Sequence, residues 1–343
     1  ETVYEYVKTF EKDMTVLLCK KKANCRLVNS IPKEVTILDE DNLTFLPKSI
    51  KNPVEVENER IAHIKDGVAL TKFICWLKKN VGKIPITELS AGEKLYSFRA
   101  QQENFIDNSF DPIISYGIHA AINHYSATPE TDIAIEPGNF LLADTGGHYY
   151  EGTTDTTRTI VMGSVNDEQK KYFTAVLRGM LNLGNAKFRY GCTGVNLDYL
   201  ARGPLWEMGQ DFNHGTGHGV GYLLNVHEGP NSFRWRIIQG DNAVLEEGMI
   251  TSDEPGYYVE NQYGIRHENL LVCKKAEKTT FGQFMCFEHL TMVPFDLDAV
   301  VPELMTVQER ALLNNYHAQV YKKISPYLEE EEKEWLKEAT REI

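Results

Sequence analysis

The sequence predicts an α+β fold in which helices cover an antiparallel sheet. Three observations predict it. Apolar residues recur at helical spacing through residues 54–105, and strand and hairpin patterns take over from Ile113 to Met162. A glycine-rich, strand-like stretch over 213–295 then precedes a helical end. A chain of 343 residues holds one large domain or two smaller ones, and 42% hydrophobic with 25% charged residues is an ordinary balance for a folded chain.

In order along the chain, residues 1–50 read as the end of one unit. Val16-Leu17-Leu18 is a short apolar run followed by Lys20-Lys21-Lys22, and residues 25–28 and 35–38 read as strands bounded by Asn, Asp or Pro. So few periodic positions do not close a core of their own. Asn52-Pro53 reads as a linker, so the expected division is 1–50 and 51–343. Ile61, Ile64, Val68, Ala69, Phe73 and Trp76 then share one helix face, and Thr87-Glu88 opens a second helix carrying Leu89, Leu95, Phe98 and Phe105. Further helices are expected over 167–187 and 195–210. A last helical region starts at Thr306, and its acidic run at 329–332 reads as a solvated face.

Charge and cysteine usage exclude several classes. With 36 basic against 49 acidic residues the net charge is −13, which argues against nucleic acid or an anionic membrane as the main partner. No apolar run is long enough for a transmembrane helix. The six cysteines contain no CxxC and no regular spacing, so neither a disulfide framework nor a zinc finger is expected. No signal peptide is visible, and a reducing cytoplasm is the expected compartment. The chain starts at Glu1 and not at Met, which reads as part of a longer protein.

Titratable residues crowd into three segments. In the first, an apolar strand ends on Asp144, a glycine pair follows, and Asp155 enters a Thr-rich run, so a hairpin would bring the two carboxylates together. Each could equally cap a turn. The second is His214-Gly215-Thr216-Gly217-His218-Gly219-Val220-Gly221, with His227 shortly after. Glycine at every second position disfavours a helix by about 1 kcal/mol each. An extended segment is expected instead, with His214, Thr216 and His218 on one face and glycines on the other admitting a neighbouring backbone. The third places Glu254 before a Pro-Gly turn and Glu268 before the apolar Leu270-Leu271-Val272. Glu268 is costly to bury unless it binds a metal or pairs, most simply with Arg266.

Asp144, Asp155, Glu254 and Glu268 cannot all stay ionised together without compensation. Two divalent cations supply it. An oxygen-rich set with one imidazole, His218, suits Mn²⁺, Co²⁺ or Zn²⁺. Two such ions activate a water and polarise a carbonyl at neutral pH.

These segments, DTGGHYYEGTTDTTRT, HGTGHGVGYLLNVHEGP, DEPGYY and GIRHEN, closely resemble the pita-bread metallopeptidases, in particular the large, three-domain Xaa-Pro aminopeptidase branch. The likeness continues upstream through residues 51–77 and 105–125 and downstream through FGQFMCFEHLTMVPF, so it covers nearly the whole chain. It implies removal of the N-terminal residue from peptides with proline second, by a dinuclear site that is most often manganese. By position, it assigns Asp144 to one ion, Asp155 and Glu268 to both, and His218 and Glu254 to the other. Glu254 also becomes the proton carrier. His124 and His214 would line the substrate site, and His227 would donate to the developing oxyanion. Asp253 and Arg266 would organise the ligands from behind.

The resemblance further implies that residues 1–50 end a creatinase-like middle domain and that the protein is a homodimer, with residues 312–335 expected in part of its contact. His148 and His267 depart from the family pattern without removing a ligand. A dipeptidase of the same fold that cleaves free Xaa-Pro is the nearest alternative. A metal-free creatinase-type hydrolase lacks the acidic ligands, and non-catalytic modules on this fold lose ligand residues, so both fit less well.

Overall fold

Asn52 does not sit in a linker: it caps a helix. Its side chain accepts from the Val54 and Glu55 amides while Glu55 Oε2 accepts from the Asn52 amide, and Pro53 occupies the first helical position. That reciprocal cap contributes about 1 kcal/mol and fixes where the helix Pro53–Asn80 begins. The computed structural model describes residues 2–238 and 240–343. The chain divides into two compact units, Glu1–Lys48 and Ser49–Ile343.

In the first unit, the strands Thr15–Leu17 and Thr36–Leu38 pair in parallel. The segment over 25–28, expected as a strand, belongs to the helix Cys25–Ser30. The Asn24 side chain accepts from the Arg26 and Leu27 amides and starts a helix there, a signal easily mistaken for loop punctuation. Val7, Ile31 and Val35 form a small buried cluster.

In the second unit, the long helix buries Val68, Ala69 and Phe73 as its periodicity requires, but Ile61 is exposed. Thr87 caps the helix Glu88–Arg99. Phe105 lies beyond that helix, in the strand Phe105–Asn108, because the helix stops at Ala100. Later helices run Asp167–Gly184 and Tyr199–Trp206, both shorter than expected, and Thr306 caps Val307–Ile324. The first of these is amphipathic and packs Phe173, Val176 and Met180 into the largest core.

Every strand pair of this unit among the described residues is antiparallel, so the α+β expectation holds. Asn139–Thr145 lies between Ile113–Tyr116 and Thr156–Met162, with Asp144 opposite Thr157. Asn269–Thr279 lies between Ile250–Asp253 and Gly282–His289, and Lys187–Arg189 completes that sheet. Gly256–Val259 and Tyr263–Arg266 form a hairpin.

A buried ion pair links helices to the first sheet. Arg99 donates to both Asp66 oxygens (2.7 and 3.2 Å) and to Thr145 Oγ1 at 2.9 Å, and Tyr149 donates to Asp66 Oδ1 at 3.0 Å. Thr145 directly follows Asp144, so the end of that strand is fixed from behind. No described helix is long and apolar enough to cross a membrane.

Candidate metal centre

One cavity of about 640 Å³ collects nine of the ten expected site residues: Asp144, Asp155, His218, Glu254, Glu268, His124, His214, His227 and Arg266. Asp253 is the exception. It is fully buried and does not line the cavity; its carboxylate lies on the side of Gly184 and His289. It ends the strand Ile250–Asp253, so its side chain and that of Glu254 leave the backbone in opposite directions.

Strand ends position the acids. Asp144 closes Asn139–Thr145, and Asp155 sits just before Thr156–Met162, so the register of Thr145 opposite Thr156 sets the two aspartates side by side. Glu268 precedes Asn269–Thr279, and its amide donates to the Thr157 carbonyl at 3.1 Å. Its Oε2 accepts from Thr157 Oγ1 at 2.7 Å. Arg158 then fastens this junction. Its guanidinium donates to the carbonyls of Thr157, Glu268, Val293 and Pro294, to Asn269 Oδ1 and to the Tyr316 hydroxyl, all neutral acceptors.

The histidine segment is extended only from Gly217. Gly217 and His218 pair with Phe233 and Ser232, and Gly219 bridges Thr251. A side chain at Gly217 would collide with the Ser252 carbonyl, and one at Gly219 with the Glu228 carbonyl, so glycine admits close neighbours on both sides. Thr216 does not share the cleft with His214 and His218. It turns inward, donating to Asp198 Oδ1 at 2.6 Å, while Arg202 bonds Asp198 and the His214 carbonyl beneath.

His218 Nδ1 donates to the Gly219 carbonyl at 2.9 Å, which leaves Nε2 as the coordinating atom. That Nε2 is 3.5 Å from both Asp155 Oδ2 and Glu254 Oε1. Burial alone would lower His218, but those two carboxylates push it up to about 9. Burial, with repulsion among the acids, raises Asp155, Glu254 and Glu268 above the usual carboxylate range. Burial and the neighbouring His218 push His227 down to about 4, and the two rings meet edge-on at 4.1 Å. Burial and Arg266 push His214 down to about 3, with its Nε2 2.9 Å from the Tyr258 hydroxyl.

Arg266 pairs with Asp144, not Glu268. One guanidinium nitrogen donates to Asp144 Oδ2 at 2.5 Å, another to the Tyr258 hydroxyl at 2.7 Å. The simple Glu268–Arg266 ion pair is therefore not formed.

A divalent cation fits this set. Asp144 Oδ1 is buried with no hydrogen-bond partner. One atom each from Asp155, His218 and Glu268 lies within 4.8 Å of the others. Hard oxygen donors with one imidazole suit Mn²⁺, Co²⁺ or Zn²⁺. Sequence reasoning missed Thr157, Arg158, Tyr258 and Ser252, whose hydroxyl donates to Glu254 Oε1 at 3.1 Å. Tyr258 stands inside DEPGYY; the others gave no signal of their own.

Comparison with known proteins gives the family. Residues 57–275 match the model of metallopeptidase family M24, and 283–343 match the C-terminal region of that family. The chain is 43% identical over 303 residues to "Probable Xaa-Pro aminopeptidase P" of Paracoccidioides brasiliensis, covering 86% of this chain and 49% of that protein. It is 39% identical over 322 residues to Aminopeptidase P1 of Arabidopsis thaliana, covering 87% and 50%. The crystal structure of X-prolyl aminopeptidase from Caenorhabditis elegans, described as a cytosolic enzyme with a di-nuclear active site, aligns with a TM-score of 0.90 at 34% identity, over 99% of this chain and 57% of that one. Prolidase from Pyrococcus furiosus aligns at 0.66 and 25% identity, over 84% and 78%. The chain thus spans about half the length of the curated relatives it matches.

Proposed function

The chain belongs to metallopeptidase family M24, and on that footing we propose that it is the catalytic part of an Xaa-Pro aminopeptidase with the pita-bread fold. The observation that carries this reading is the convergence of four carboxylates and His218 on one cavity. Asp144 would hold one divalent ion, Asp155 and Glu268 both, and His218 and Glu254 the other. Bound ions would supply the Lewis acidity that activates a water and polarises the scissile carbonyl at neutral pH. Manganese is the proposed metal, in keeping with the oxygen-rich donors.

The side chains divide the remaining work. Glu254 accepts a proton from the attacking water and returns it to the proline nitrogen as the peptide C–N bond breaks. Ser252 keeps the Glu254 carboxylate aimed. His227, neutral at working pH, donates to the carbonyl oxygen as negative charge grows there. Arg266 holds Asp144, and Tyr258 links Arg266 to His214. His124 and His214 line the place of the substrate. Asp253, buried behind the cavity wall next to Glu254 in the chain, would organise the ligands from behind. The same reading takes residues 1–50 as the end of a creatinase-like middle domain, the assembly as a homodimer involving residues 312–335, and the compartment as the cytoplasm.

The test is product chromatography after incubating Mn²⁺-loaded protein with an Xaa-Pro-Yaa tripeptide and, separately, the matching Xaa-Pro dipeptide. Release of the first residue from the tripeptide is expected. Cleavage of the dipeptide alone would replace the reading by a dipeptidase, and cleavage of neither by metal-loaded protein would overturn it for this chain.

A further inference from the structure

The segment between Tyr116 and Ile133 leaves and rejoins the start of the helix Glu88–Arg99. The Glu88 carboxylate accepts the Tyr116 amide at 2.7 Å, the Glu88 amide donates to the Ile133 carbonyl at 3.2 Å, and the Leu89 amide donates to Asp132 Oδ1 at 3.1 Å. Between these tied ends, Asn123 and His124 stand in the cleft wall. From 122 onward the segment has no strand ladder until it returns to the helix; a turn bond from the Tyr125 amide to the Ile122 carbonyl at 3.1 Å closes around His124, and side-chain pins fix where that turn stands.

One pin is internal. His119 Nδ1 lies 2.9 and 3.0 Å from the two oxygens of Glu88, which is only 1% exposed. A carboxylate buried that deeply needs partners, and His119 supplies one. The His119 ring stacks on Tyr125 with centroids 4.1 Å apart and planes 27° apart. Tyr125 directly follows His124, and its hydroxyl donates to Thr131 Oγ1 at 2.9 Å. In front, Arg266 donates to the Asn123 carbonyl at 3.4 Å. Neither His119 nor Glu88 lines the cavity.

We propose that His119, anchored by Glu88 and stacked on Tyr125, is a positioning residue that holds His124 at the substrate. The inference rests on the reading that His124 touches substrate. Its chemistry is indirect: Glu88 fixes the imidazole, the imidazole fixes the Tyr125 ring, and the backbone from Tyr125 to His124 has little freedom left.

The experiment compares His119→Ala, His119→Asn, His124→Ala and the double variant His119→Ala/His124→Ala. His119→Ala should lower kcat/KM about ten- to a hundredfold, the scale of a small misplacement near the chemistry, with metal content unchanged. His119→Asn, whose carboxamide nitrogen replaces Nδ1 toward Glu88 but which offers no ring to Tyr125, should recover only part of that loss. The double variant should be no worse than His124→Ala alone. Wild-type kinetics in His119→Ala, or losses that add in the double variant, would overturn the proposal. A second readout does not need turnover. In Zn²⁺-loaded protein labelled with ¹³C at histidine Cε1, the resonance that disappears in His124→Ala should shift or broaden in His119→Ala. An unmoved resonance sinks the proposal even if no Xaa-Pro peptide is cleaved, an outcome that would separately sink the functional reading.

Discussion

Asp155 carries the sharpest consequence of the proposed ligand set, because a bridging carboxylate serves both ions. Asp155→Asn should abolish peptide hydrolysis and dinuclear binding together, with metal content measured by elemental analysis of dialysed protein. A variant still holding two ions would show that Asp155 does not bridge. His227 should behave differently. His227→Ala should keep both ions and lower turnover about 10²–10³-fold, the effect of losing one oxyanion donor; full activity would refute its role. At this scale the candidate ligands were legible, because binding divalent ions demands particular residue types. Their supports were not. Thr157, Ser252 and Arg158 are ordinary residues until a neighbouring strand delivers Glu254 or Glu268 to them. Asp253 stands apart from them: alternation along a strand turns it away from its neighbour Glu254, behind the cavity wall, where an organising residue was expected.

Helix starts were the most readable elements. Thr87 and Thr306 cap the helices they announce, since a hydroxyl accepting an amide is a local event. Asn24 and Asn52 do the same, yet beside short apolar runs or a proline they look like loop residues. What no periodicity discloses is that the helix Pro53–Asn80 also buries Glu59 against the hairpin at Thr153, whose amide donates to Glu59 Oε1 at 3.2 Å. Burial, only partly offset by that amide and by Lys51, raises Glu59 from 4.5 to about 8. Its folded-state value is raised, so the protonated acid favours the fold below pH 4.5, and that contribution is lost as pH rises toward 8. Glu59→Gln should therefore flatten the fall in stability across this window relative to wild type, read from denaturant midpoints at matched ionic strength. Parallel profiles for the two proteins would show that Glu59 does not titrate there.

Over the whole molecule, the pattern of helical and strand-rich blocks was enough for the α+β class, because blocks of one period outlast errors at their ends. Register was not readable, and register is what places Asp144 opposite Thr157 and next to Asp155. Ions at the proposed centre bind the assembled fold and not the open chain, so added Mn²⁺ should raise the thermal midpoint and a chelator should lower it. Saturation at a hundredfold excess over Kd corresponds to about 2.7 kcal/mol. A midpoint indifferent to both would argue against any metal centre.

The strand pairing that joins Asp144 and Asp155 also sets an order of events. These two meet through neighbouring strands, whereas Glu254 and Glu268 arrive roughly a hundred residues later in the chain. A refolding chain can therefore form half of the centre early and the rest only when the second sheet has closed. Ions can reward the finished arrangement but cannot guide its approach. Kinetically, Mn²⁺ should slow unfolding and leave the refolding rate almost untouched, so that the metal acts as a latch and not as a template.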